Sequence, residues 1–155
     1  MMQAIRNKKR AISIEEAEVI LESAEYGVLS LVCKNNQAYG IPLSFCIMNN
    51  FIYFHCALDG FKINCIKNNN QVSFCVVGKT QILPDKFGTK YESVIIFGKA
   101  SEVFDDEKQQ SLEGLLVKYS KNYINKGLKY IQSLTDVTRV FKISMDNISA
   151  KARYK

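Results

Sequence analysis

The chain has 155 residues, 47% of them hydrophobic and 23% charged, enough apolar material for one globular domain with its own core, which excludes a disordered or fibrous protein. Eight Tyr and nine Phe without a Trp, beside many Val and Ile, favour strands, because branched and aromatic side chains fit a pleated, half-buried surface. The net charge of +6 does not make a nucleic-acid binder: Arg6, Lys8, Lys9 and Arg10 with Lys151, Arg153 and Lys155 carry more than the whole excess, so the body between them is nearly neutral.

Taken in chain order, Ser13-Ile14-Glu15-Glu16 reads as a capping box, and Ile14, Ala17, Ile20, Leu21 and Ala24 follow at helical spacing until Gly27. Gly27 to Cys33 is a β-rich run stopped by Asn35-Asn36; Ala38 to Met48 is a second, stopped by Asn49-Asn50; Phe51 to Cys56 is a third. Asn-containing turns between consecutive strands predict an antiparallel meander. Gly60 to Ile66 fits a short helix, Val72 to Val77 resumes the strand pattern, and a longer loop with Pro84, Phe87 and Gly88 is expected before a long strand from Tyr91 to Phe104, kinked at Gly98. Asp105-Asp106-Glu107 supplies acids for the start of a helix carrying Leu112, Leu115, Leu116 and Tyr119. A short helical segment around Lys129 to Ser133 leads to a closing strand at Val140-Phe141-Lys142-Ile143. About six strands with inserted helices predict a small barrel. No linker divides it, so residues 1–155 form one domain with solvated basic tails at 1–10 and 151–155.

The cysteines (Cys33, Cys46, Cys56, Cys65, Cys75) include no C-x-x-C pair, and His55 is the only histidine, so no metal site is expected. Their odd number, and an N-terminus without an apolar segment ahead of a cleavage site, lead to the expectation of a cytoplasmic protein whose thiols pack as small hydrophobes. No apolar run approaches spanning length, so no membrane partner is expected.

Chemistry concentrates in Ile52-Tyr53-Phe54-His55-Cys56-Ala57-Leu58-Asp59-Gly60-Phe61-Lys62. A strand ends, a small-residue turn closes on Gly60, and Lys62 falls in the first turn of a helix, where free N–H groups and an ammonium can hold a phosphate. His55 alternates to the face opposite Phe54 and Cys56. No Ser-His-Asp arrangement, P-loop or dinucleotide fingerprint is present. The residues alone thus reach a β-rich domain with a phosphate-binding turn and do not name a reaction.

Gly27-Val28-Leu29-Ser30, Tyr39-Gly40-Ile41-Pro42-Leu43, Tyr53 to Ala57 continuing through Lys62, and Tyr91 to Ala100 follow one another in an order that resembles the flavin-binding split barrels related to pyridoxamine 5′-phosphate oxidase. Tyr53-Phe54-His55-Cys56-Ala57 with Gly60 and Lys62, then Val72-Ser73-Phe74-Cys75-Val76-Val77-Gly78, is most similar to the nitroimidazole-resistance (Nim) branch. The resemblance implies a mainly β, six-stranded Greek-key split barrel that forms a homodimer and binds FMN between protomers. It implies contacts to FMN from Gly40, Ile41, Pro42 and Leu43 beside the ring; from Phe54, His55, Cys56 and Ala57 along the ribityl and phosphate end; from Phe61 and Lys62 at the phosphate; and from Ser93 of the other subunit. His55 is the implied catalytic residue. The implied activity is flavin-dependent reduction of a small acceptor such as a nitroimidazole, with a pyridoxamine 5′-phosphate oxidase-like enzyme or a non-catalytic flavin- or haem-binding protein as alternatives. Several relatives carry Arg where this chain has Phe61, and another near Gly40; the absence of both counts against a phosphorylated pyridoxamine as substrate.

Overall fold

The structure, a computed structural model, describes residues 5–154. Ser13 opens helix α1 (Ile14–Ser23) with the reciprocal bonds its sequence predicts: the Ser13 hydroxyl accepts from the Glu16 N–H at 3.2 Å, and the Glu16 carboxylate accepts from the Ser13 N–H at 2.9 Å. Ala17, Ile20 and Leu21 form the buried stripe that seats the helix on the sheet.

Eight strands carry the architecture: β1 (Gly27–Val32), β2 (Ala38–Leu43), β3 (Cys46–Met48), β4 (Phe51–Cys56), β5 (Gln71–Leu83), β6 (Gly88–Val103), β7 (Arg139–Ser144) and β8 (Asn147–Arg153). Helix α2 (Phe61–Asn68) links β4 to β5, and a helical hairpin of α3 (Asp105–Ser120) and α4 (Ile124–Leu134) links β6 to β7. Every pairing is antiparallel, along the path β2-β1-β5-β6-β7-β4-β3, with β8 added on β6. The mainly β expectation holds, but six strands in a closed barrel do not: among the described residues there are eight, and their path does not close.

Two local causes account for the difference. The run from 38 to 48 breaks at Ser44-Phe45, sending β2 to pair with β1 and β3 to pair with β4 at opposite ends of the path. Phe45 drops fully into the core, and its N–H is taken by the Tyr119 hydroxyl at 3.0 Å instead of a neighbouring strand, so the three-strand meander is replaced by two separate hairpins. The second cause is at the C-terminus, where Lys151 and Arg153 belong to β8, paired with Ser93 and Tyr91, and not to a solvated tail. Lys155 and residues 1–4 of the N-terminal tail lie outside the described residues. The expected loop after Val77 is also strand: β5 and β6 continue as a hairpin from Thr80↔Tyr91 to Leu83↔Gly88 after a register shift between Val77 and Thr80.

Strand β6 belongs to both halves of the sheet, pairing with β8 as far as Phe97, with β5 as far as Lys99, and with β7 from Ala100 to Val103. Gly98 sits at the crossover, where any Cβ would overlap the Ser144 carbonyl, which is the close backbone approach that a strand glycine signals. Leu29, Phe45, Phe54, Phe74, Ile96 and Ile143 fill the main core, while Tyr53, Cys46 and Val140 on the outer face meet Leu112 and Leu115 of α3. Cys33 and Cys65 are joined as a disulfide between the end of β1 and α2, with Cα atoms 4.3 Å apart. That corrects the expectation of five thiols; Cys46, Cys56 and Cys75 are free. Among the described residues no helix is long and apolar enough to cross a membrane.

Candidate functional site

Strand β4 delivers its side chains to two faces. Phe54 is fully buried in the main core, stacked on Phe141 with ring centroids 5.7 Å apart, and Cys56 packs on the same side. His55 points with Tyr53 to the opposite, helix-covered face. Alternation thus separates two residues expected along one ligand: a molecule held against Cys56 meets His55 through its main chain alone.

After Cys56 the chain turns through Ala57 to Gly60, which adopts φ 142° as the N-cap of α2 and leaves the helix without a side-chain cap. The first main-chain bonds returning to this turn are from the Ile63 and Asn64 N–H groups to the Gly60 carbonyl, at 3.1 and 3.2 Å. Among the described residues the Phe61 and Lys62 N–H groups have no main-chain acceptor, and a Cβ at Gly60 would meet nothing within 4 Å. The result is an open cradle of N–H groups at the positive end of a helix. Lys62 lies over the Phe54 ring, its ammonium 5.9 Å from the centroid. Phe61 is exposed and meets Tyr39 edge-on at 5.0 Å, which places the Tyr39 end of β2 beside the first turn of α2; Gly40, Ile41, Pro42 and Leu43 continue along that strand. Ser93 is not brought into this cluster within one chain; it sits on β6 between Val77 of β5 and Lys151 of β8.

Electrostatics separate the titratable groups. Partial burial, with the Lys62 ammonium as a second cause, holds the His55 imidazole below its ordinary value, so it is neutral at pH 7. Burial pushes the Cys56 thiol up, against the pull of Lys62 and Arg139, so it stays protonated.

Arg139 was not singled out by the sequence, yet it organises the turn. Its Nε donates to Glu102 Oε1 at 2.7 Å, its Nη2 to Glu102 Oε2, and its Nη1 to the Leu58 carbonyl at 3.1 Å. One guanidinium thereby ties β7, β6 and the cradle loop together. Tyr119 plays a similar part on the far side, donating to the Glu25 carbonyl at 2.7 Å while accepting from Phe45. Local pattern cannot reveal either contact, since Arg139 and Leu58 are 81 residues apart.

The His55 face opens on a pocket of about 360 Å³ between β4 and the α3–α4 hairpin. A second groove, of about 500 Å³, lies over the disulfide beside Phe61, Asn64 and Lys67.

The fold is shared with solved structures whose low identities show fold alone. A protein from Bacteroides thetaiotaomicron with a proposed role in 5-nitroimidazole antibiotic resistance is 21% identical over 92% of this chain and 86% of its own, with a TM-score of 0.75. The FAD and haem binding protein of Mycobacterium smegmatis is 16% identical over 96% of this chain and 75% of its own, at 0.79. A proposed pyridoxamine 5′-phosphate oxidase from Listeria innocua is 19% identical over 88% and 95%, at 0.61. No curated protein matches the sequence. The model of the pyridoxamine 5′-phosphate oxidase family matches residues 13–152, from the cap of α1 into β8, so the cradle, the His55 face and the long β6 all fall inside it: the chain belongs to the pyridoxamine 5′-phosphate oxidase family.

Proposed function

We propose that the chain is an FMN-dependent oxidoreductase that works in the cytoplasm as a homodimer and reduces a small acceptor, with nitroimidazoles and other nitroaromatics as the acceptor class. The observation that carries this is the start of α2. Gly60 at φ 142° leaves room, two N–H groups lack main-chain acceptors among the described residues, and Lys62 stands in the first turn, a combination suited to a phosphate ester. FMN ends in such an ester, and when bound it supplies the electron-transfer chemistry.

The chain's own residues would hold and orient it. The Phe61 and Lys62 N–H groups and the Lys62 ammonium would take the phosphate, with Arg139 fixing the loop through Leu58. Protonated Cys56 is a packing surface and not a nucleophile, and His55 borders the cradle through its main chain, its imidazole lying on the other face of β4. Ser93 lies away from the cradle in its own chain, so the reading needs a second copy to supply it. Ile82 and Phe87, 76% and 99% exposed on the β5–β6 hairpin, are the apolar surface which that copy would cover. In a reducing compartment the Cys33–Cys65 bond would depend on its burial, both residues being only 3% and 2% exposed.

The description of the Bacteroides neighbour supports the acceptor class, and that of the mycobacterial neighbour supports a flavin in this fold. The test is the absorption spectrum of freshly purified protein, with mass analysis of the released ligand, sedimentation, and reduction of a nitroimidazole by the reduced holoprotein. A two-band flavin spectrum releasing FMN from a dimer that turns over the nitroimidazole supports the whole reading. Released FAD would replace the cofactor assignment, and a colourless protein that takes up no flavin would overturn the function.

A further inference from the structure

Helix α4 presents Ile124, Leu128, Ile131 and Leu134 at spacings of four, three and three, yet none of its residues is buried. An amphipathic helix of this kind normally closes its apolar stripe against a core. Here Ile131 packs against the outer-face cluster that holds Leu112 and Leu115, and beside it Leu134 borders a gap towards α3. The two helices meet at Gly127, where an added Cβ would overlap Leu116. Beyond that pinch α3 is tied to the end of α4 by the Lys108 ammonium donating to the Thr135 carbonyl at 2.8 Å. The hairpin is therefore fixed at both ends while its middle stands off the sheet, and the space left is the pocket of about 360 Å³.

The lining defines the chemistry of what would fit. Leu115, Leu116, Ile131 and Leu134 make the walls, and no Lys, Arg, Asp or Glu lines the pocket, so a charged ligand would be stripped of water without compensation. Of the polar groups on its rim, the Tyr119 hydroxyl is committed to Glu25 and Phe45 and that of Thr138 to Leu134. The His55 imidazole, by contrast, has no hydrogen bond among the described residues, and it lines the pocket. The Ser44, Ser120 and Tyr130 hydroxyls line it too and are likewise uncommitted among the described residues; an apolar pocket with a few such polar groups is the usual form of a small-molecule site, and this volume lies near the lower end of the ~300–1,000 Å³ such sites span.

We propose that the α3–α4 pocket is a second binding site, separate from the Lys62 cradle, that takes a small uncharged apolar molecule of single-aromatic size and gives it one hydrogen bond from or to His55. The site stands on the other face of β4 from Cys56 and does not depend on the flavin reading.

The test is calorimetric titration of the full-length protein with indole, in parallel with FMN. One equivalent of indole is expected to bind. Indole-2-carboxylate, the same ring with a negative charge, is expected to bind at least tenfold more weakly. Ile131→Trp and Leu134→Trp fill the pocket from a helix that contributes no buried residue, and each should weaken indole at least tenfold, with circular dichroism and FMN binding as in the parent. His55→Phe should weaken indole and leave 1-methylindole, which has no N–H to offer, unchanged. Failure to bind indole, equal binding of its carboxylate, or unchanged binding in both filled variants would overturn the site. A shift in sedimentation of the filled variants without any indole binding would assign the α4 stripe to a second copy of the chain instead, and also overturns it. Loss of the FMN signal alone removes the flavin reading and leaves this one standing.

Discussion

Replacing Arg139 by Met tests whether the cradle is a preorganised device or only a convenient turn. The guanidinium side chain is 18% exposed and its partner Glu102 21%, so the pair is partly desolvated and the Leu58 bond is charge-assisted. Hydrogen bonds to charged groups are worth about 1.5–3 kcal/mol; because Glu102 reaches water once released, the lower end applies, about 1.5 kcal/mol. If the loop from Ala57 to Gly60 must then be reordered on binding, that cost comes out of flavin affinity, and about 1.4 kcal/mol is tenfold. The expected result of a fluorescence titration is therefore a roughly tenfold weaker FMN complex, though Arg139 does not touch the phosphate. Arg139→Lys keeps the charge and loses the fork, so it should bind FMN as weakly as Arg139→Met. Glu102→Gln keeps the Leu58 bond, so it should lower the melting temperature with little change in FMN affinity. An Arg139→Lys protein that binds as tightly as the parent would show that charge alone matters and would refute the argument.

Gly98→Ala drives a methyl into the Ser144 backbone at the crossover of β6; a backbone atom cannot swing aside, so a loss at or above the usual ~1–3 kcal/mol of overpacking is expected by denaturant unfolding. The His55 ring should titrate below its ordinary 6.5 in a proton NMR series, and Lys62→Met should move the midpoint part of the way back, since burial, the larger cause, remains. Because the folded value is depressed, His55 makes stability fall as pH drops below 6.5 and level off once the folded midpoint is passed; a midpoint at or above 6.5 would contradict the pocket geometry. Lys118 has a buried ammonium with no hydrogen-bond partner among the described residues, 3.7 Å over the Phe45 ring, and burial holds it below its ordinary value. Lys118→Met removes that unsatisfied group and should stabilise the protein by about 1 kcal/mol, or about 2–4 °C in melting temperature for a domain of this size.

What could be read from the sequence was local. Ser13 and Glu16 declare α1 because both halves of a capping box lie three residues apart, and Gly60 with Lys62 marks the entry to α2 because cap and first turn are contiguous. Gly98 is legible for the same reason, being the one break in a long apolar alternation. The hairpin from Gly78 to Tyr91 was hidden by Gly78, Lys79, Pro84 and Gly88, which are loop-like in composition and become strand through pairing across the turn. The break at Ser44-Phe45 was hidden because its cause is Tyr119, 74 residues away. Cys33 and Cys65, separated by 32 residues, share no motif, and their meeting depends on α2 folding back over the end of β1. At the candidate site the sequence pointed to residues of β4 and α2, while their division between two faces, and the anchoring by Arg139, follow from tertiary packing.

The two-residue link at Ser44-Phe45 has a consequence for how copies of this chain can associate. It leaves β2 and β3 as the end strands of the path, each with a row of main-chain donors and acceptors that another chain could zip onto. Neither end is a good template. β3 is three residues long, too short to hold an added strand, and Pro42 removes a donor from within β2 (Ala38–Leu43). Main-chain recruitment is thus blunted at both ends of the path, and assembly there is steered towards side-chain contacts, which can be specific where an open ladder would accept any extended segment.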